Sequence, residues 1–337
     1  MSPQTIRKVV IPEFGDESKV QVVSAEISDP EPNHVQVKTI YAGFTGADVN
    51  MRKGHYPMQK KAPLTPGYCL IGTVTQNGQG ATKFLPDDLV ASLTVYDADA
   101  ELVNLPEKYL IRVPKGLDLQ QATALILDWN TAYAMVKNSA KVKKDQRVFI
   151  HGVSGAVGYA TAALCRLQGA QVYGTASTRN HELLREHGIT PFVYTDKKWM
   201  ESMNELGGAD AVFDALGFES WDESYKILNC TGTLVAFGGN SDSLKGEAPR
   251  SQILPTVKLL ARNLVPNAKT TKFYYITKDD KDFVTNLQEL FRLLGDGMIK
   301  VPVRSVTDLD DIQEAHRSWG KVPGIGSMLV RVSKDAA

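Results

Sequence analysis

One stretch of the chain, RVFIHGVSGAVGYATAALCRLQGAQVYGTASTRN from Arg147 to Asn180, combines residue types and spacing that can do chemistry. An apolar run meets Gly152, Gly155 and Gly158, then passes into a helical pattern and a second apolar run. A turn of small residues there lets backbone approach a pyrophosphate. The helix start adds unpaired N–H groups and the positive end of its dipole. The spacing is GxxGxxG rather than GxGxxG, and a glycine triplet alone also suits a structural turn. The strand before it, the helix after it and the strand beginning at Gln171 favour dinucleotide binding. Gly152, Ser154, Gly155, Ala156, Val157 and Gly158 are then the cradle. Where NAD sites carry an acid for the ribose 2′-hydroxyl, this chain has Ala176, Ser177, Thr178, Arg179 and Asn180. Hydroxyls and a guanidinium suit a 2′-phosphate, so NADPH is the expected cofactor. The alternative for Arg179 is a solvated loop arginine beside a helix cap.

Other reactive side chains are sparse. Cys69, Cys165 and Cys230 lie far apart in apolar or helical surroundings, without a CxxC pair, so neither a disulfide framework nor structural zinc is expected. The six histidines form no close pair on one helical face. The nearest two, His181 and His187, are expected to be solvated on a surface helix. No metal is expected. Lys+Arg and Asp+Glu are equal at 38 each, which argues against nucleic-acid and anionic-membrane partners. The N-terminus has no apolar core of signal-peptide length and no segment approaches membrane-spanning length. With three scattered cysteines a reducing intracellular compartment is expected, the cytoplasm by default with an organelle as the alternative.

These groups need elements to hold them. With 337 residues the chain is long enough for two domains. Up to about residue 120 it is β-rich, with short runs such as KVVIPEF, VQVVSAEI, HVQVKTIYAG, LIGTVTQNG and DLVASLTVY between Gly, Pro, Asn and Asp clusters. From Asp118, DLQQATALILDWNTAYAMVKNSA has helical periodicity. From residue 146 strands alternate with helices: RVFIHG, QVYGTA, PFVYT, DAVFDAL, TLVAFGG and KFYYIT predict a parallel sheet covered on both faces. An amphipathic helix, DKDFVTNLQELFRLLGDG, precedes a closing strand, helix and strand.

The segments YAGFTGADVNMRKGHYP, TPGYCLIGTV, NTAY, HGVSGAVG, YGTAST, VFDALG and GKVPGIGSMLVRV occur in that order along nearly the whole chain. Together they resemble the zinc-independent medium-chain dehydrogenase/reductases of quinone oxidoreductase (ζ-crystallin-like) type. The resemblance implies an α/β fold: a Rossmann doubly wound parallel sheet, residues 124–276, and a discontinuous β-rich GroES-like catalytic domain, residues 1–123 and 277–337. It also implies that FTGADVNMRKGHYP borders nicotinamide and substrate, making Tyr56, Asn50, Asp48 and Arg52 the candidate catalytic residues. Tyr56 is preferred as the donor to a substrate carbonyl, because a phenol is a neutral donor on an apolar body. Its alternative is a packing tyrosine with a solvated hydroxyl. Asp48 and Arg52, four apart, also suit an ion pair on a helix surface. Thr131 resembles the family's nicotinamide-contacting threonine. Leu216, Phe237, Gly238 and Gly239 are implied beside the cofactor, with Asp214 contacting it or ending a strand, and Asn267 a further candidate. Where zinc-dependent relatives carry a ligand cysteine and a Gly-His-Glu triplet, this chain has GFTGAD and PGYCLIG, with Tyr68 near the histidine and glutamate positions.

Without a Lewis acid, alkoxide stabilisation is harder to supply, whereas hydride delivery to an electron-poor acceptor needs mainly orientation and hydrogen-bond donors. Orientation removes about 7–11 kcal/mol of barrier in favourable cases, and one oxyanion donor about 3–4 kcal/mol. The expected activity is NADPH-dependent reduction of a small-molecule quinone or an enone C=C by a homodimer. The alternatives are an NADPH-binding structural or regulatory protein with little turnover and a dedicated secondary-metabolite reductase.

Overall fold

The computed structural model describes residues 4–248 and 250–333. The chain forms two compact units, Met1–Asn130 with Thr277–Val322 and Ser327–Ala337, and Thr131–Ile276 with Pro323–Gly326. The first break thus falls later than residue 123, and the short PGIG run near the C-terminus belongs to the second unit.

The chain begins with β1 (Gln4–Val10), β2 (Gln21–Ile27), β3 (His34–Phe44), β4 (Cys69–Asn77), β5 (Leu89–Leu93), β6 (Leu102–Pro106) and β7 (Ile111–Arg112). It continues with β8 (Arg147–His151), β9 (Gln171–Ala176), β10 (Thr190–Val193), β11 (Ala209–Asp214), β12 (Leu228–Ala236) and β13 (Thr270–Phe273). It closes with β14 (Val303–Asp308) and β15 (Ser327–Arg331).

In the first unit β1 and β2 form an antiparallel pair. The main sheet runs β14-β15-β3-β4-β5-β7, with β6 also pairing β3. Antiparallel pairing of β15 with β3, Met328 opposite Phe44, returns the last part of the chain to the first sheet. Alternating residues of β3 and its neighbours, among them Val35, Val37, Phe44, Leu70, Val74 and Val90, build the core with Leu309, Ile312 and Val330. Each such side chain contributes about 1.5–3 kcal/mol on burial. The strand expected over DLVASLTVY stops at Leu93. Val95 and Asp97 adopt positive φ, 71° and 72°, a left-handed backbone that cannot continue a ladder.

In the second unit six parallel strands run β10-β9-β8-β11-β12-β13, the Rossmann order whose direction reverses between β8 and β11. Phe149, Trp199, Trp221, Val212 and Leu234 pack between the sheet and its helices. The helical stretch after Asp118 is N-capped by that residue, whose side chain accepts from Gln121 N. It widens to π-helical turns over Leu125–Trp129 and Met135–Ala140, which 3.6-residue periodicity does not anticipate.

Candidate functional site

In the second unit the site is built from the end of β8. Gly152 has φ 67°, and a Cβ there would meet nothing within 4 Å. The chain folds back so that Gly155 N donates to Gly152 O at 2.9 Å. A Cβ on Gly158 would stand 2.3 Å from that same carbonyl oxygen, so only glycine permits the helix Ala156–Leu167 to start this close. Gly155 is its N-cap and supplies no side-chain bond. The first N–H groups, including those of Ala156 and Val157, therefore lack a side-chain cap, and half-buried Ser154 adjoins them. An open glycine followed by an uncapped helix start fits a pyrophosphate. Its place, the C-terminal end of β8 beside the reversal of strand order, is where such sheets bind ligands.

Ser177, Thr178 and Arg179 follow β9 in a single 3₁₀ turn, Ser177 half-buried and the other two exposed. The register pairs Val193 of β10 with Ala176, so Tyr194, 60% exposed, emerges at the same strand-end edge. Tyr194 thus lies just past the strand expected to run through PFVYT. The PGIG run, which no sequence motif assigns to this edge, also reaches it: Gly324 N donates to Asn180 Oδ1 at 2.9 Å and Gly326 N to Ser154 O at 3.3 Å. Of the two histidines expected in solvent, His181 is buried and His187 is half-buried. His181 is buried with Nε2 3.1 Å from Ala176 O, and His187 Nδ1 is 2.9 Å from the Tyr159 hydroxyl. The 3₁₀ turn directs the first ring inward.

Asp214 is fully buried and accepts from Leu216 N at 2.8 Å and from Ser220 Oγ and Ser224 Oγ, each at 2.6 Å. Its carboxylate thus ends β11 and ties down the following loop. His151 lies 3.8 Å from it, and burial pushes this imidazole below its ordinary range. Bonds from Phe237 N to Asp214 O and from Ser241 N to Leu216 O join the loops after β11 and β12. Gly238 turns there with φ 74°, and Gly239 lies against Gln252. Thr131 is buried at the start of the unit. Asn267 is not brought to this edge. It precedes β13, bonds the Tyr225 hydroxyl, and lies at the N-terminal edge of a parallel sheet whose glycine turn is at the C-terminal edge.

In the first unit the helix Gly46–Arg52 begins in a capping box. Ala47 N donates to Thr45 Oγ1, and Thr45 N donates to Asp48 Oδ2 at 2.8 Å. Gly67 N donates to the other carboxylate oxygen of Asp48 at 3.2 Å. Asp48 is fully buried, and desolvation pushes its pKa up to about 6. Burial and the nearby Asp48 charge hold Asp99 well above the usual carboxylate range, and burial first, then Asp48, raises Asp128 to about 7. Arg52 is also buried, its Nη1 3.9 Å from a Glu17 carboxylate oxygen. The surface ion pair considered for Asp48 and Arg52 is therefore not formed: both side chains turn inward and each faces other groups. Asn50 is half-buried on the same helix. Tyr56, half-buried in the following loop, places its hydroxyl 2.6 Å from that of Tyr68, with the rings edge-on at 74°. The Tyr56 hydroxyl is thus not merely solvated. Cys69 is buried, and desolvation drives its thiol pKa well up. Among the described residues no group of three or more His, Cys, Asp or Glu could hold a metal ion.

A Rossmann unit with a glycine-built helix start, in one chain with a β-rich unit, is the architecture of an oxidoreductase. Residues 31–115 match the alcohol dehydrogenase GroES-like domain, and residues 156–271 match the zinc-binding dehydrogenase family. The chain is 26% identical to a probable quinone oxidoreductase of Schizosaccharomyces pombe, over 98% of both chains. It is 29% identical to the synaptic vesicle membrane protein VAT-1 of Tetronarce californica, over 92% of this chain and 83% of that one. The structure of Escherichia coli quinone oxidoreductase complexed with NADPH superposes with a TM-score of 0.83 at 22% identity, over 98% of this chain and all of the other. The chain belongs to the zinc-independent, quinone-oxidoreductase-like medium-chain dehydrogenase/reductases.

Proposed function

We propose that the protein is an NADPH-dependent reductase that passes hydride, without metal, to a quinone or to the C=C of an α,β-unsaturated carbonyl. The observation that carries this reading is the half-buried Tyr56 hydroxyl. It is a neutral donor that meets the buried Tyr68 hydroxyl at 2.6 Å. Such a site stabilises negative charge growing on a carbonyl or quinone oxygen and does not need a strong base. Nicotinamide supplies the hydride when bound. Backbone N–H groups of the Gly152–Gly158 turn would receive the pyrophosphate. Ser177, Thr178 and Arg179 would receive the 2′-phosphate. Thr131, Leu216, Phe237, Gly238 and Gly239 would face the nicotinamide end. Tyr56 Oη donates to the acceptor oxygen, and Tyr56 or water completes the protonation. Asp48 and Arg52 hold the helix Gly46–Arg52, with Asn50 on it, beneath that donor.

The absence of an acid from Ser177–Asn180 supports NADPH, as does the NADPH complex of the Escherichia coli neighbour. A homodimer is supported by the edge position of β13 and the exposed apolar residues Ile253, Leu254, Val257, Leu260 and Leu264 close by in sequence. A cytoplasmic location is supported by three free cysteines. No helix among the described residues is long and apolar enough to cross a membrane. The second reading is an NADPH-binding structural or regulatory protein with little turnover, and a relative named as a synaptic vesicle membrane protein rather than as a reductase is the observation on its side.

A nucleotide-fluorescence titration followed by an NADPH-oxidation screen over quinones and enones tests the proposal. Tight NADPH binding with turnover of at least one acceptor class is expected. Tight binding with no acceptor consumed would select the second reading, and failure to bind at millimolar NADPH would overturn both.

A further inference from the structure

We propose that Tyr68 is a positioning residue for the reaction: its buried phenol orients and polarises the Tyr56 hydroxyl, so that substrate meets a two-tyrosine donor. The inference rests on Tyr56 being the hydrogen-bond donor to the acceptor oxygen.

Tyr68 is only 2% exposed, so its own hydroxyl is poorly placed to serve as the substrate's donor, yet it lies 2.6 Å from that of Tyr56. That separation is at the short end for O–H···O bonds. The backbone carrying Tyr68 is fixed on both sides. Its carbonyl accepts from Thr94 N at 3.0 Å and Val95 N at 2.9 Å. The preceding Gly67 donates to Asp48 and accepts from Thr94 Oγ1 at 2.8 Å. Gly67 has φ 104°, and a Cβ there would stand 2.4 Å from Asp99 N, so the segment sits closely against the 94–99 loop. Tyr56 is carried differently, on a loop where Gln59 Oε1 accepts from Tyr56 N and Gln59 Nε2 donates to Met51 O. The buried ring is thus the rigid partner and the half-buried ring the presented one.

Direction follows from valence. If Tyr56 directs its proton at a substrate oxygen, its own oxygen accepts from Tyr68, because a phenol has one proton to give. The two bonds then point the same way, and each strengthens the other in a low-dielectric surrounding. As negative charge grows on the substrate oxygen, part of the response reaches Tyr68, which keeps its proton. The hydride and proton balance of the reduction is unchanged.

The test is a double-mutant cycle of Tyr56→Phe, Tyr68→Phe and the pair, read as kcat, KM and NADPH affinity. It is combined with NMR of protein labelled at tyrosine Cζ. Tyr68→Phe should lower kcat about tenfold, the loss of one hydrogen bond, with NADPH affinity kept. The double variant should be no slower than Tyr56→Phe alone, and the Tyr56 Cζ resonance should move in Tyr68→Phe. The resonance reads the coupling independently of turnover, should Tyr68→Phe prove less stable. Wild-type kcat in Tyr68→Phe, an unmoved Tyr56 resonance, or losses that multiply in the double variant would each overturn the proposal. Unchanged turnover in Tyr56→Phe would instead remove the donor assignment on which it rests.

Discussion

The carboxylate of Asp48 accepts from the backbone N–H of Gly67 at 3.2 Å while its other oxygen caps the helix that starts at Gly46. One buried acid thus fastens two segments, the helix leading to Tyr56 and the strand entry carrying Tyr68. Its position explains both why the acid is present and why it is not available as a surface partner for Arg52.

The same burial makes stability depend on pH. The folded-state pKa values of Asp48 and Asp128 are raised to about 6 and about 7, above the unfolded carboxylate value near 4. A raised acid binds more protons folded than unfolded, so these two groups make stability fall as pH rises from about 4 to about 7. Asp128→Asn keeps an oxygen for the Ser327 hydroxyl, which donates to Asp128 at 2.6 Å. It should flatten the slope and raise unfolding free energy at pH 8 by about 1–3 kcal/mol. Urea unfolding midpoints at pH 5 and 8 measure this; an unchanged slope would mean Asp128 does not titrate in that window.

Gly158→Ala should damage the nucleotide turn. The added methyl would press on Gly152 O at 2.3 Å, an overpacking that costs about 1–3 kcal/mol. A lower melting temperature and weakened NADPH binding are expected together. Wild-type binding would show that the helix start has room to shift.

Arg179→Ala should weaken NADPH binding about tenfold or more and leave NADH binding nearly unchanged, since a charge-assisted bond to a 2′-phosphate is worth about 1.5–3 kcal/mol. Parallel titrations with both cofactors decide. Equal losses would take Arg179 out of the phosphate site.

Tyr56→Phe should lower kcat about 100-fold or more, the scale of an oxyanion donor, while NADPH affinity holds. Steady-state kinetics on the best acceptor found, with a fluorescence titration, separate the two quantities.

Leu254→Glu combined with Val257→Glu should abolish a dimer formed through the apolar face of the helix Ile253–Ala261. Both residues are exposed, 78% and 59%, so the change should cost the folded chain less than about 0.5 kcal/mol. Sedimentation velocity of wild type and variant at equal concentration is the measurement; a variant that remains dimeric places the interface elsewhere.

Much of this protein is local in origin and was therefore legible in the sequence. Strand–helix alternation from residue 146 and the glycines after RVFIHG follow from periodicity and backbone freedom, which neighbouring residues determine. What remained hidden depends on contacts between distant segments. Asp48 and Arg52, four apart on a short helix, look like a surface pair until β4 and the 94–99 loop bury the first and Glu17 faces the second. Tyr56 and Tyr68 are separated by a loop, and nothing in their spacing predicts that their hydroxyls meet. The PGIG run reaches Ser154 and Asn180 from the far end of the chain. Periodicity reports which face of an element is apolar. Only the folded backbone decides which polar groups share a buried space, because that depends on where segments far apart in sequence come to rest.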